Sequence, residues 1–129
     1  MASLFTKIIK GEIPCHKILE DDNYLAFLDI RPINPGHTLV ITKKEIDYIF
    51  DVDDKLLGGL MVFAKKAAKM IQREVHCKKI GMMVAGLEVP HVHIHLVPIQ
   101  GVLDLNFANA KQTSHDELEG LAKRIRAHA

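Results

Sequence analysis

The sequence predicts an α+β domain: a five-stranded antiparallel sheet with one long helix and a C-terminal helix. Three observations lead there. Five short apolar stretches follow one another, most of them across hairpin-length links. Residues 53–75 instead repeat their apolar positions at helical spacing. A Ser114-His115-Asp116-Glu117 capping pattern opens the tail. With 129 residues the chain has the size of a single domain, its core spanning about 4–99 and its tail 100–129.

Taken in order, residues 4–9 read as a short helical turn, ended by Gly11 and by the Ile13-Pro14 pair, because proline pushes its predecessor out of the helical region. Residues 16–20 and 23–30 read as two strands around the Asp21-Asp22 turn, and 37–42 as a third after the Pro32–Gly36 turn cluster. Asp51, Asp53 and Asp54 supply the acidic start of the long helix, whose stripe of Leu57, Leu60, Met61, Ala64, Ala68, Ile71 and Val75 reads as core. Lys65, Lys66 and Lys69 read as its solvated side. Residues 80–85 and 91–99 form the fourth and fifth strands, and the last helix runs to about residue 127.

Seventeen basic residues nearly balance sixteen acidic ones, which argues against a duplex-wrapping nucleic-acid binder. The apolar stretches are too short to span a bilayer, and the opening residues lack the basic-then-apolar pattern of an export signal. The expectation is a cytoplasmic protein with Cys15 and Cys77 reduced, although one disulfide between them stays open.

The chemistry-bearing feature is His91-Val92-His93-Ile94-His95-Leu96-Val97. Alternation places the three imidazoles on one side of a strand, about 6.5–7 Å apart at their α-carbons. Imidazole is the side chain suited to nucleophilic, proton-transfer or metal work near neutral pH.

This spacing resembles the signature of the histidine triad (HIT) family of nucleotide hydrolases and transferases. Residues 5–14, Glu20-Asp21-Asp22, residues 25–30 and residues 36–41 are similar to further blocks of that family, nearest its Hint-like branch. The resemblance implies that His93 attacks the α-phosphorus of a nucleoside phosphoramidate or related purine nucleotide, through a nucleotidyl-histidine intermediate. It implies that His95 contacts phosphate oxygens and protonates the leaving group, that His91 orients the nucleophile, and that His37 is the family's upstream histidine. Leu4, Phe5, Ile8, Phe27, Ile30 and Val89 would line the base pocket, and Asp29 would accept the ribose hydroxyls. From the residues alone, these apolar side chains read as ordinary core.

Several positions depart from the family pattern. Many microbial members hold a structural zinc partly through two N-terminal cysteines; Ser3 and Thr6 stand there, and Glu45 stands where a histidine often follows. Hydroxyls are poor zinc ligands, so the expectation is no such zinc, no other metal and no cofactor. Leu87 and Glu88 replace a glutamine and a serine before the triad. Residues 104–107 read either as reaching the site or as a structured connection.

The reading favoured is therefore a phosphoramidase-like enzyme. A catalytically weak, nucleotide-binding regulatory protein is the alternative, and a His-x-His metal site flanked by His37 and Asp29 is a third. A homodimer is expected, paired through the long helix and the apolar edge strand 80–85 into a ten-stranded sheet, with Gly58, Gly59, Ala64, Ala67 and Ala68 allowing close approach.

Overall fold

The computed structural model describes residues 2–129. In chain order the elements are α1 (Leu4–Ile9), β1 (Lys17–Glu20), β2 (Tyr24–Leu28), β3 (Thr38–Thr42), α2 (Asp54–Glu74), β4 (Lys79–Met83), β5 (His93–Ile99) and α3 (His115–Arg126). The strands make one sheet in the order β1-β2-β3-β5-β4, with every pairing antiparallel. The predicted fold class is therefore the observed one. Three short 3-10 turns, Ile49–Asp51, Val102–Asp104 and Phe107–Asn109, add to it.

The alternation of each strand divides its side chains between two apolar layers. On one face, Ala26, Leu28, Val40, Ile94 and Leu96 pack beneath α2 and α3, against Leu60, Phe63, Ile71 and Leu118. Asp53 caps α2 by accepting from the Leu56 amide at 2.9 Å. On the other face, Leu25, Phe27, Leu39 and Ile41 gather around Phe5 of α1. The histidines of β5 stand on this second face, opposite Ile41 and Leu39 in register. Because α1 covers that face, β2 and β3 are buried at every residue.

Two details differ from expectation. β5 begins at His93, so His91 lies in the lead-in, where Val92 donates to the Ile46 carbonyl at 2.7 Å instead of joining the ladder. The small residues of α2 mostly face inward. Ala64 and Ala67 are fully buried in the core, and a side chain at Gly59 would collide with the Tyr24 ring. These three serve helix-on-sheet packing, which corrects the expectation that they allow approach to a partner, whereas Gly58 is exposed and Ala68 half-buried.

Candidate active site

Gly36 ends the proline-rich turn with φ +95, a backbone region that favours glycine. A Cβ there would also meet Val75, Pro98 and Ile71 side chains at 3.0–3.2 Å. The turn delivers His37 to the start of β3, in the interior, where the Ile33 amide donates to its Nδ1 at 3.0 Å. An amide can only donate, so His37 carries its proton on Nε2. That nitrogen lies 2.9 Å from His95 Nδ1, which must therefore accept. The remaining ring nitrogen of His95, Nε2, is left as a donor.

A second set of bonds settles the other two rings. His93 Nδ1 lies 2.7 Å from the His91 carbonyl, which only accepts, so Nδ1 bears the proton and Nε2 keeps its lone pair. His91 Nε2 likewise donates to the Thr42 carbonyl at 2.6 Å, and its Nδ1 accepts from the Ser3 hydroxyl at 2.8 Å. Among the described residues no buried side-chain nitrogen or oxygen lacks a partner.

Burial sets the electrostatics. Desolvation pushes His95 down to about 3, helped by the neighbouring His37 and His93. It also lowers His91 and His37, against partial support for the charged form from the Thr42 carbonyl and from Asp29 respectively. His37, His91 and His95 are therefore neutral at neutral pH, and their hydrogen-bond directions follow from the neutral tautomers.

His93 and His95 open onto a cleft of about 460 Å³, a ligand-sized space. Asp29 and Ile30 line one side, and Ala85, Leu87 and Glu88 of the loop before the triad another. The Asp29 carboxylate accepts from the Arg31 amide at 2.9 Å and lies 3.6 Å from His37 Nε2. The rest of the predicted set divides. Phe5 and Phe27 are buried with their rings edge-on at 5.7 Å, and Ile8 and Val89 pack on the same cluster. Ile30 is exposed at the rim, and Leu4 is exposed on α1.

Sequence reasoning passed over Arg31 and Ala110 and left Phe107 open; all three line the cleft. The Phe107 ring stands edge-on to His95 with centroids 4.9 Å apart. Its segment is built in. Gly81, lacking a side chain, lets Leu105 lie where a Cβ would come within 3.1 Å of it. Beyond the turn, the Lys111 amide donates to the Pro32 carbonyl at 3.1 Å. No local periodicity could have announced this docking.

A family model for the HIT domain matches residues 10–102, from the end of α1 through β5. The chain belongs to the HIT family. Within it, the Saccharomyces cerevisiae adenosine 5'-monophosphoramidase HNT1 is 36% identical over 129 residues, covering 98% of this chain and 82% of the yeast protein. Among solved structures, a HIT-like protein involved in cell-cycle regulation from Bartonella henselae superposes with a TM-score of 0.87 at 34% identity, covering 98% of this chain and 96% of that one. A zinc-bound histidine triad protein from Mycobacterium smegmatis gives 0.83 at 28% identity, covering 99% and 93%.

Two places in this HIT chain bear on metals. Among the described residues, Asp29, His37 and His95 bring one ligand atom each within 4.8 Å of one another. The two nitrogens, however, are hydrogen-bonded at 2.9 Å, whereas Zn–N bonds of about 2.0–2.1 Å at tetrahedral angles would hold them about 3.3 Å apart. The second place is Ser3, Thr6, Glu45 and His91. It offers no thiolate, and the one available imidazole lone pair is already taken by the Ser3 hydroxyl. These donors do not fit zinc.

Proposed function

We propose that this HIT protein is a hydrolase or transferase that cleaves purine nucleoside phosphoramidates, or related nucleotides, at the α-phosphate. The observation that carries this reading is the His93 ring, whose Nδ1 is committed to the His91 carbonyl at 2.7 Å while Nε2 adjoins the cleft. In this reading Nε2 of His93 attacks phosphorus and the bond to the leaving nitrogen breaks. The leaving nitrogen takes the proton held on His95 Nε2, and the negative charge this leaves on that ring is offset by the cationic nucleotidyl-imidazolium formed at His93. Water then displaces the nucleotidyl group from His93, and the proton it sheds returns to His95. Asp29 holds the ribose hydroxyls, and the apolar residues of α1 and β2 hold the base. The relation to a yeast adenosine 5'-monophosphoramidase supports the substrate class.

Incubation with adenosine 5'-phosphoramidate is expected to release AMP, and His93→Ala to lower turnover by at least about 10³-fold. An active His93→Ala protein overturns the mechanism. A second reading, a nucleotide-binding regulatory protein of weak catalysis, is favoured by exposed Leu87 and Glu88 in the loop before the triad. Calorimetric nucleotide binding with turnover at the His93→Ala level selects it.

The same reading includes a cytoplasmic homodimer. β4 is an edge strand, and Met82 on it, Val84 just beyond it, and Met61 and Val62 on α2 are exposed. Among the described residues no helix is long and apolar enough to cross a membrane. Sedimentation giving only monomer at micromolar concentration rejects the dimer.

A further inference from the structure

Three polar side chains that the proposed chemistry does not use, Ser3, Thr6 and Glu45, form one network with His91 at the back of the triad. The Ser3 hydroxyl donates to His91 Nδ1 at 2.8 Å and accepts from the Thr6 amide at 3.0 Å. The Thr6 hydroxyl donates to Glu45 Oε1 at 2.6 Å, and the Ser3 amide donates to the same oxygen at 2.6 Å. We infer that Glu45 is a positioning residue of the site, which through Ser3 and Thr6 fixes α1 and the His91 ring without a metal.

The direction of every bond follows from its partners. The Thr42 carbonyl can only accept, so it holds the His91 proton on Nε2 and leaves Nδ1 bare. Nδ1 then requires a donor, which the Ser3 hydroxyl supplies. The Ser3 and Thr6 donors that remain need a strong acceptor, and a carboxylate is the side chain that takes two at once. Glu45 answers in kind: hydrogen bonds from Thr6 and Ser3 hold its carboxyl down to about 2 although it lies at the surface. The group is therefore charged across the range in which proteins work.

Two routes lead from this network to the nucleophile. One runs through His91, whose carbonyl holds the His93 proton on Nδ1. The other runs through α1. Six residues cannot sustain a helix by themselves, so α1 depends on tertiary anchors. Its Phe5 ring stands edge-on to His93 at 5.0 Å and to His91 at 5.8 Å. Loosening the Ser3 and Thr6 anchors therefore loosens the wall against which His93 rests. This chain ties α1 and the His91 ring together with two hydroxyls and one carboxylate.

Three variants test the role. Glu45→Ala is expected to lower kcat on adenosine 5'-phosphoramidate by about 10–100-fold and to raise KM, because α1 carries residues of the proposed base pocket. Glu45→Gln keeps an oxygen that accepts from both donors and is expected to stay within about threefold of the parent. Nitrogen-15 NMR of the imidazoles reads the positioning directly. His91 Nδ1 should carry the shift of a hydrogen-bonded acceptor in the parent and in Glu45→Gln, and move toward that of a free lone pair in Glu45→Ala, the proton staying on Nε2 opposite the Thr42 carbonyl. Should Glu45→Ala fail to fold, Ser3→Ala, which removes only the hydroxyl donor, is expected to give the same shift at Nδ1. The kinetic arm rests on His93 as nucleophile; the Nδ1 shift does not, so the two fail separately. An unchanged His91 Nδ1 shift in both alanine variants overturns the inference. So does stoichiometric zinc in untagged protein expressed in zinc-replete medium and lost in Ser3→Ala.

Discussion

His37 donates from Nε2 to Nδ1 of His95 across 2.9 Å, and this single bond decides which nitrogen of His95 presents a proton to the cleft. The direction is imposed from behind, by the Ile33 amide on the far side of the His37 ring. A hydrogen bond between two neutral imidazoles would otherwise run either way. His37→Ala is therefore expected to free the His95 tautomer and lower kcat by about 10–100-fold, more for amine leaving groups than for good ones. Nucleotide affinity should be nearly unchanged. Turnover on a phosphoramidate and on a fluoridate, side by side, checks it.

Acid should unfold this protein through its interior histidines. His37, His91 and His95 are all lowered from 6.5, chiefly by burial. The unfolded chain therefore binds more protons than the folded one once the pH drops below about 6.5. Stability is complete above that pH and falls as the pH approaches the folded values, about 3 for His95. Glu45 adds a loss in the same direction further down, between about 4.5 and about 2. Urea midpoints are expected to be level from pH 7 to 8 and to decline steadily from pH 6.5 to 4. His91→Asn should make that decline shallower.

Phe107 keeps water from one side of His95. Desolvation is the leading cause of the lowered His95 value, and the Phe107 ring lies 4.9 Å from it. Phe107→Ala is expected to raise the His95 pKa from about 3 toward the ordinary imidazole range, as followed by NMR titration. The ring is 44% exposed, so thermal stability should change little.

Gly36→Ala should be costly far out of proportion to one methyl group. It places a side chain at φ +95 and within 3.0–3.2 Å of Val75, Pro98 and Ile71. About 1–3 kcal/mol of destabilisation is expected from overpacking and strain together, measured by chemical denaturation. Because His37 follows directly, turnover should fall alongside.

What could be read from the chain was whatever repeats locally. The alternation through His93 and His95, the stripe of α2 and the Ser114 cap each declare themselves within a few residues, and each stands where expected. What could not be read joins distant positions. Ser3 meets His91 across 88 residues and Thr6 meets Glu45 across 39, so neither pair leaves a periodic trace. The inward turn of Gly59, Ala64 and Ala67 was hidden for a related reason. Small residues announce close approach but not to what, and here the neighbour is the Tyr24 ring and the sheet. Phe107 depends likewise on Leu105 finding the gap above Gly81.

That docking of the tail has an evolutionary consequence. The match to the HIT family model ends at residue 102, and Phe107, the aromatic wall beside His95, lies past it. In the proposed function, the nucleophile and the aromatic wall beside its neighbour His95 thus come from successive stretches of chain. For this lineage, grafting tails between cousins is a route to new selectivity that leaves every histidine where it stands.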